Sequence, residues 1–370
     1  VQPVYLFPFL GGEGMKKIQI AIIALFLLVI SVPLLGMETG LYTAKNEENR
    51  TLAPKAPVTD AKGYEAYFND HFGFRQELVS LCSLWKSMTG NHLISKEVLK
   101  GREGWLFYTT DNADFDPIAT YQGKNLYDET RLQTICENLQ KITDGLKERN
   151  IRFLVVIPPN KCTVYPEYLP EAANKPGEQT RLDQIKNYLK NNSTVDLLDL
   201  RPLFAQKKQD ATLYYKTDTH WNEYGAFFAA QEILSHLGLT GDSLEDYTVE
   251  KSRIDGKDLA RMSALSHVMK DDMVSVRPSG GFQAYETAGE LDTDKIGVYE
   301  REIQAPSMMI YRDSFTVAMF PFLAEHFQKS VSNWTFHIKK SDLEEYQPDI
   351  VILEILERNI PFLETMTLEE

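Results

Sequence analysis

The chain has 370 residues, of which 43% are hydrophobic and 25% charged, a composition typical of a globular protein with an ample core. A net charge of −14 and an isoelectric point near 5.1 exclude a typical nucleic-acid binder, because phosphate contacts need clustered lysine and arginine. No Cys-pair zinc pattern is present. Cys82, Cys136 and Cys162 are widely spaced, so we expect them to be unpaired and mostly buried, with one disulfide plus one free thiol as the alternative.

An apolar helix is predicted near the N-terminus. In MKKIQIAIIALFLLVISVPLLGM, two lysines precede an uncharged run close to the roughly 20 residues that cross a bilayer. We predict a signal anchor or transmembrane helix over residues 15–36, with Lys16 and Lys17 on the cytoplasmic side and the rest of the chain outside. A cleaved signal peptide, which would leave a secreted protein, is the main alternative, and a buried core helix is a weaker one.

Residues 1–14 precede what reads as the start of an export signal. Met15 followed by two lysines is how such a signal normally begins, and GGEG just before it would be encoded by purine-rich codons, as a bacterial ribosome-binding site would be. We hypothesise that translation starts at Met15 and that residues 1–14 are an upstream extension of the gene model. Peptides from this segment in the native protein would contradict the hypothesis.

Residues 37–97 are predicted to form a stalk and then a helical approach segment. The polar, proline-containing stretch ETGLYTAKNEENRTLAPKAPVTD is typical of an extended stalk. The stretch GYEAYFNDHFGFRQELVSLCSLWKSMTG has the spacing of an amphipathic helical segment, with Tyr67, Phe68, Phe72 and Phe74 as apolar anchors.

From residue 98 onward, short apolar strands alternate with amphipathic helices. The predicted strands are GWLFY, IRFLVVIPPN, TVDLLDL, SMMIYRDSF, VSNWTFHI and DIVILEIL. Helices are predicted over ETRLQTICENLQKITDGLKERN, residues 178–192, EYGAFFAAQEILSHLGL, TVAMFPFLAEHF and SDLEEYQ. This alternation predicts an α/β fold for residues 98–370, with a largely parallel sheet flanked by helices. The polar, weakly periodic stretch 240–300 is interpreted as an insertion with loops.

Three segments are predicted to place polar residues at the carboxyl ends of strands, where ligands bind in open α/β sheets: VVIPPNK, YKTDTHWN and MIYRDSFT. Asn160 and Lys161 come directly after the strand IRFLVVIPP. Ser314 lies between a strand and a helix, a junction that exposes its Oγ and where the helix N-terminus supplies free backbone N–H groups for the oxyanion of an acyl transfer. The alternative is that Asp313 or Ser314 only caps the helix.

A serine nucleophile needs a base, and the base needs an orienting acid; YYKTDTHWNEYGA contains both. If the stretch is extended, Asp218 and His220 point to the same side, and the aspartate would fix the imidazole tautomer. Trp221 would then wall the site, and Asn222 would cap the next helix. A polar pre-helix turn and a metal site remain as alternatives, although no third metal ligand stands at convincing spacing.

These motifs resemble, in order, those of the alginate O-acetyltransferase family, the AlgX/AlgJ-like, DHHW-type proteins of the SGNH-like hydrolase superfamily. TDTHWNEYGA is similar to the family's Asp-x-His-Trp-Asn motif, and KGREGWLFY to its entry to the catalytic domain. IPPNKCTVYPEYLP resembles its Pro-x-Lys-x-x-x-Tyr segment, and YRDSF its Asp-Ser-Phe block. ENRTLAPKAP and YFNDHFGFR resemble the approach segment, so that the resemblance covers roughly residues 46–360.

The resemblance implies an SGNH-hydrolase-like fold with Ser314 as nucleophile, His220 as general base and Asp218 as its orienting acid. The side chains expected to line the cleft or to hold the oxyanion are Asn160, Lys161, Arg312, Asp313 and Trp221. Two departures stand out: Arg312 replaces the usual glycine before Asp-Ser, and no Gly-x-Asn-Asp block is found. The stretch EILERN, residues 354–359, matches a further family pattern, and we expect Glu354, Glu357 and Arg358 to form a structural ion pair.

The resemblance further implies an extracytoplasmic O-acetyltransferase that acts on an exported or cell-surface polysaccharide through an acyl-serine. Its expected partners are the polysaccharide acceptor and a multi-spanning membrane acyltransferase that relays the acetyl donor. No cofactor, metal ion or nucleic acid is expected. An acetylesterase with the same three residues is the first alternative, and a non-catalytic scaffold of a polysaccharide-export complex is the second.

Overall fold

A computed structural model gives the fold of residues 12–39, 51–57, 59–291 and 296–369. Residues up to Trp85 form one compact unit, and residues from Lys86 onward form another. Half of the stalk predicted within residues 37–60 and most of the extension predicted over residues 1–14 lie outside the described ranges. Residues 51–57 have no regular secondary structure.

The first unit is helical. Its helices are α1 (Gly12–Thr39), α2 (Ala61–His71) and α3 (Arg75–Met88), the last of which crosses the boundary at Trp85. The span Lys16–Pro33 of α1 is long and apolar enough to cross a membrane, and nearly all of its side chains are exposed. Helix α2 begins where the Asp60 carboxylate accepts the Gly63 N–H at 3.1 Å, a typical N-cap.

The second unit contains the alternating elements that the sequence predicts. Its helices are α4 (Pro117–Tyr121), α5 (Glu129–Lys147), α6 (Lys161–Val164), α7 (Arg181–Asn192), α8 (Arg201–Lys207), α9 (Glu223–Leu237), α10 (Asp258–Met262), α11 (Thr316–Ala324) and α12 (Lys340–Tyr346). Its strands are β1 (Leu93–Ser95), β2 (Val98–Lys100), β3 (Leu106–Tyr108), β4 (Arg152–Ile157), β5 (Leu197–Asp199), β6 (Tyr247–Asp255), β7 (Lys270–Pro278), β8 (Tyr285–Ala288), β9 (Gly297–Glu300), β10 (Ser307–Tyr311), β11 (Lys329–Asn333), β12 (Ile338–Lys339), β13 (Ile350–Glu354) and β14 (Leu368–Glu369).

The main sheet has the strand order β5-β4-β13-β10-β11-β9-β8. The first five strands are parallel to one another. Strand β9 pairs antiparallel with β11, and β8 pairs antiparallel with β9. The prediction of a largely parallel α/β sheet is therefore confirmed. From β4 the chain continues to β5, toward one edge of the sheet, whereas from β10 it continues to β11, toward the opposite edge. Strand β13 lies between β4 and β10. This reversal of direction opens a crevice at the carboxyl ends of the central strands.

The central strands are buried on both faces, as their continuous apolar sequences require. On one face, Leu154, Val156 and Ile310 pack in a core with the apolar sides of α8, α9 and α11. On the other face, Val155 and Leu353 pack with α5, α7 and α12. Successive side chains of a strand point to opposite faces, so each strand supplies both cores and is held firmly in place.

Residues 240–300 differ from the predicted loop insertion. They contain the long antiparallel pair β6–β7, with Tyr247 opposite Pro278 and Asp255 opposite Lys270, and the strands β8 and β9, which extend the main sheet. The β6–β7 pair buries Tyr247, Val274 and Val276, whereas most of its other residues are polar and exposed, so the strand periodicity is visible only over short stretches.

Candidate active site

Three central strands of the sheet end at the same crevice. Strand β4 leads to Asn160 and Lys161, β10 leads to Ser314, and β13 leads to Glu357 and the residues after it. Because the three strands are parallel neighbours, these segments meet at one edge of the sheet. The loop 215–220 joins them, as the contacts of its residues show.

Ser314, His220 and Asp218 form a continuous hydrogen-bonded chain. His220 Nε2 lies 2.8 Å from Ser314 Oγ, and His220 Nδ1 lies 2.8 Å from Asp218 Oδ1. The carboxylate accepts a hydrogen bond from the Nδ1–H, which leaves Nε2 with its lone pair toward the serine. This geometry is that of a nucleophile, a general base and an orienting acid.

The loop that carries Asp218 and His220 is a turn rather than the extended strand assumed from the sequence. It joins Tyr214 and Trp221, which pair as an isolated antiparallel bridge. The two side chains still meet because Asp218 Oδ1 also accepts the backbone N–H of His220 at 3.1 Å. The polar turn and the oriented imidazole are therefore one structure, since a single carboxylate oxygen holds both groups.

Lys161 holds this turn through hydrogen bonds to its backbone carbonyl groups. Its Nζ donates to the carbonyl oxygens of Asp218 at 2.6 Å, Lys216 at 3.1 Å and Tyr215 at 3.2 Å. Burial lowers the pKa of Lys161 to about 7, whereas the nearby charges of Asp218 and Asp271 raise it. Three acceptors use all three N–H groups of an ammonium, so Lys161 acts on the loop backbone as a buried cation.

Asp218 is ionised in this setting. Burial alone would raise the pKa of Asp218, but the hydrogen bond and charge of His220, with the charge of Lys257, hold it well below its usual range. Lys257 Nζ lies 3.6 Å from Asp218 Oδ2 and rests over the Tyr215 ring. A carboxylate that stays charged stabilises the imidazolium that forms when His220 takes a proton.

Ser314 lies on the turn between β10 and α11. The Asp313 carboxylate accepts the Phe315 N–H at 3.0 Å and the Leu356 N–H at 3.0 Å, and these bonds fix the turn on both sides. Ser314 Oγ faces His220 rather than capping the helix, and the N-cap residue Phe315 has no side-chain cap. The capping alternative therefore describes Asp313 better than it describes Ser314.

Trp221 joins the His220 loop to the nucleophile turn. Its indole N–H donates to the Phe315 carbonyl at 3.0 Å, and its ring stacks on Phe204 and meets the Phe315 ring edge-on. The side chain is 1% exposed, so it supports the site from the core instead of walling the cleft.

The residues after Trp221 fix where helix α9 begins. Asn222 Oδ1 accepts the N–H groups of Tyr224 at 3.0 Å and Gly225 at 3.2 Å, which confirms the predicted cap. A Cβ on Gly225 would lie 2.6 Å from the Leu213 carbonyl oxygen, so glycine is required where the helix crosses the strand-like segment.

Four of the five side chains expected to line the cleft or hold the oxyanion are committed elsewhere. The ammonium of Lys161, the indole N–H of Trp221 and the carboxylate of Asp313 have the partners given above. Arg312 is fully buried and donates to Ser332 Oγ at 2.9 Å and to the Leu291 carbonyl, with its guanidinium over Trp334. Their contacts support structural roles.

Asn160 is the fifth candidate and has a different setting. It is 2% exposed, yet among the described residues neither its Oδ1 nor its Nδ2 has a hydrogen-bond partner. It lines a cavity of about 10 Å³ with Tyr108, Thr219 and Arg358, enough for roughly one water molecule. A buried amide with no protein partner needs water or ligand atoms to satisfy it.

The expected ion pair within EILERN is not formed. Glu354 accepts the Asp313 N–H and the Thr316 hydroxyl, and burial and the charge of Asp313 raise its pKa well above the usual range. Glu357 accepts the Asn160 N–H at 2.8 Å. Arg358 lies over the Tyr108 ring at the cavity. Glu354 therefore holds the nucleophile turn and Glu357 holds the Asn160 segment, because each segment presents a backbone N–H group near the end of β13.

Asp271 and Thr217 belong to the site and were not predicted from the sequence. Asp271 Oδ2 accepts the N–H of Thr217 at 2.7 Å and its hydroxyl at 2.5 Å, and Thr217 Oγ1 accepts the Lys257 N–H at 3.0 Å. The available signal was a threonine three residues before the predicted base, but its partner comes from a stretch without clear periodicity.

The sheet, its crevice and the Ser-His-Asp chain define an SGNH-hydrolase-like protein. The family model described as SGNH hydrolase-like domain, acetyltransferase AlgX, matches residues 98–336, and the chain belongs to this family. The match contains Asn160, Asp218, His220 and Ser314.

Curated relatives of the chain include two proteins named probable alginate O-acetylase AlgJ. That of Pseudomonas syringae pv. tomato is 24% identical over 223 residues, which are 59% of this chain and 52% of the relative. That of Pseudomonas aeruginosa is 26% identical over 209 residues, 54% of this chain and 49% of the relative. The chain thus spans about half the length of the curated relatives it matches.

Solved structures with the same fold include Bacillus cereus PatB1 with a sulfonyl adduct. Its TM-score is 0.54 at 18% identity, over 71% of this chain and 94% of that one. A DHHW family protein from Eubacterium siraeum has a TM-score of 0.51 at 16% identity, over 74% of this chain and all of that one. These likenesses agree with the sheet described above.

Proposed function

We propose that the chain is an extracytoplasmic, membrane-anchored, serine-dependent O-acetyltransferase that acts on an exported or cell-surface polysaccharide. The hydrogen-bonded chain Ser314–His220–Asp218 at the carboxyl ends of the sheet is the observation that carries this proposal. Membership of the AlgX-type family and the names of the AlgJ relatives support acetyl transfer to a polysaccharide. The candidate span in α1 supports anchorage.

In the first half-reaction, His220 Nε2 takes the Ser314 proton while Oγ attacks the carbonyl carbon of an acetyl ester. The backbone N–H of Ser314 and the Asn160 amide are the donors we propose for the oxyanion. The imidazolium then gives its proton to the leaving alcohol, and the acetyl group remains on Ser314. Asp218 stabilises the imidazolium throughout.

In the second half-reaction, a sugar hydroxyl enters and His220 takes its proton. The resulting oxygen nucleophile attacks the acyl-serine carbonyl, the tetrahedral intermediate collapses, and the proton returns to Ser314 Oγ. We infer that a multi-spanning membrane acyltransferase supplies the acetyl donor. The described residues of this chain include one candidate span, which is too little to carry an acyl group across a membrane.

An acetylesterase is the second candidate function, because water reaches the base. The His220 side chain is 31% exposed. Water would then replace the sugar hydroxyl in the second half-reaction, with the same residues in the same roles.

Transfer and hydrolysis are measured together in one experiment. The full chain in detergent is given a chromogenic acetyl ester with and without an oligosaccharide acceptor, and released alcohol, free acetate and acetylated sugar are all quantified. A transferase yields acetylated sugar at the expense of free acetate when acceptor is present, whereas an esterase yields acetate alone.

Ser314→Ala tests whether either activity depends on the serine. We expect both to fall by about 10⁴- to 10⁶-fold, as when the nucleophile of a serine hydrolase is removed. Ser341→Ala, at an exposed position in α12, is the control and should leave both unchanged. Unchanged turnover in Ser314→Ala would refute the proposed mechanism.

A further inference from the structure

Helix α3 carries its apolar side chains on the outside. Phe74, which directly precedes the helix, and Leu78, Leu81 and Trp85 within it recur at spacings of four, three and four, so they lie on one face. We name these four residues the outer stripe; their exposed fractions are 38, 46, 63 and 67%.

The two buried positions of the same helix are polar. The buried residues of α3 are Gln76 and Ser83. A helix on a water-facing surface has the opposite arrangement, with apolar side chains inward and polar ones outward. The outer stripe is therefore placed for an apolar medium rather than for water.

The outer stripe starts beside the end of the candidate membrane span in α1. A Cβ on Gly73 would lie 2.3 Å from the Pro33 carbonyl oxygen, so the turn between α2 and α3 packs directly on α1 at a point where only glycine fits. Pro33 is the last residue of the candidate membrane span. The turn thus lies at the level where the chain would leave the hydrocarbon.

An apolar groove shows how deep the contact reaches. Phe68, Phe72, Phe74 and Leu78 face residues 28–30, 32 and 33 of α1 across a groove of about 590 Å³, and none of the described residues that line it is charged. Leu28 precedes Pro33 by five residues, roughly 7.5 Å along a helix that rises 1.5 Å per residue. Amphipathic helices at membrane surfaces bury their apolar faces to a depth of about 5–10 Å.

We propose that α3 lies in the outer interface of the same membrane that α1 spans. Lipid acyl chains cover the outer stripe and fill the groove, and Trp85 sits at the headgroup level, where tryptophan is favoured. This inference rests on the proposed membrane anchorage and adds a second lipid contact to it. We assign the groove to lipid because it is continuous with the surface of α1, which lipid covers if α1 spans the membrane as proposed.

Fluorescence quenching in vesicles tests the contact with the full chain. Trp105 and Trp221 are 1% exposed, so replacing Trp334 by phenylalanine leaves Trp85 as the accessible emitter. In vesicles with brominated acyl chains, we expect W334F to lose the Trp85 emission, with bromines near the headgroups more effective than deep ones. The double variant W334F/W85F supplies the background. Quenching of Trp85 by aqueous acrylamide but not by brominated lipid would overturn the inference.

Alkaline carbonate extraction of the same vesicles separates this inference from the anchorage of α1. If the chain resists extraction while Trp85 is unquenched, α3 does not contact lipid although α1 spans the membrane. If the chain is extracted, the anchorage proposal itself fails. A photocrosslinker at Leu81 in cells is expected to label lipid, and a crosslink to a membrane protein instead would also overturn the lipid assignment.

Discussion

His220 is held at both ring nitrogens and at its backbone. Asp218 Oδ1 binds both Nδ1 and the His220 N–H, and Nε2 faces Ser314 Oγ. Because the imidazole is already fixed, it does not need to reorganise when the proton moves. Such preorganisation is a main source of rate enhancement in sites of this kind. Under this account Asp218 has two separable effects, on the tautomer of His220 and on stability.

Asp218→Asn tests the effect on the tautomer. An asparagine side chain can donate to the imidazole and so favours the wrong tautomer, and we expect ester turnover to fall by about 10³- to 10⁴-fold. KM for the ester should change much less, because the carboxylate does not contact the substrate. A variant that retains most of its turnover would show that His220 is oriented by other groups.

The effect of Asp218 on stability depends on pH in a defined direction. Its pKa in the folded chain is held below the value of about 3.9 of an unfolded aspartate, so its contribution is fully present above that value and is lost as pH falls below it. Urea unfolding should therefore show wild type more stable than Asp218→Asn at pH 7, with the difference shrinking below about pH 4. A difference independent of pH would contradict the assignment.

Local sequence is enough to single out Ser314, His220 and Asp218 as candidates, but it does not show what their neighbours contact. A serine at a strand–helix junction and an aspartate two residues from a histidine are visible in one short window each. Lys161 was predicted to line the cleft, but its contacts are with three carbonyl groups more than fifty residues away. Arg312 likewise has partners at residues 291 and 332.

At the scale of elements, the β6–β7 pair supports the loop 215–220. Asp271 on β7 accepts three N–H or O–H groups from Lys216 and Thr217. It is 3% exposed, whereas the next residue, Asp272, faces solvent and pairs with Arg253. The sequence concealed this element because its apolar alternation is confined to residues 247–249 and 274–276, which is too short to predict two nine-residue strands.

Adjacent aspartates offer a matched test of this support. Asp271→Asn replaces an acceptor by an N–H₂ group next to Thr217, and we expect a loss of about 1–3 kcal/mol in the free energy of unfolding, with lower ester turnover. Asp272→Asn breaks only an exposed ion pair and should change stability by less than about 1 kcal/mol. Urea denaturation and ester turnover are measured on both. Equal effects of the two changes would contradict a supporting role for β7.

At the scale of the whole molecule, net charge affects which acceptors reach the site. The chain carries a formal charge of −14, so a polyanionic polysaccharide approaches against a repulsive field, while a neutral one does not. The field is screened by salt, with a Debye length of about 30 Å at 0.01 M and about 8 Å at 0.15 M.

Salt dependence therefore distinguishes acceptor classes. Raising ionic strength from about 10 mM to about 150 mM should increase kcat/KM several-fold for an oligouronate acceptor, and leave it nearly constant for a neutral oligosaccharide of the same length. Initial rates of sugar acetylation at both salt concentrations give the comparison. A decrease with salt for the oligouronate would contradict this account and indicate a local cationic surface at the acceptor site.

The α/β fold and the apolar N-terminal helix were predictable because both depend on patterns within single elements. The orientation of α3 was not, since its sequence gives an amphipathic helix but does not say which side faces inward. Only the packing of Gln76 and Ser83 inside and Trp85 outside shows this.

The central claim is that acetyl groups pass through Ser314, and trapping the acyl-enzyme tests it most directly. The full chain is mixed with an activated acetyl ester, quenched in acid within the first turnover, and mapped by peptide mass spectrometry. The account predicts one acetyl group per chain on Ser314, and none in Ser314→Ala or His220→Ala. Turnover without an acetyl group on Ser314, or equal labelling of the Ser314→Ala variant, would contradict it.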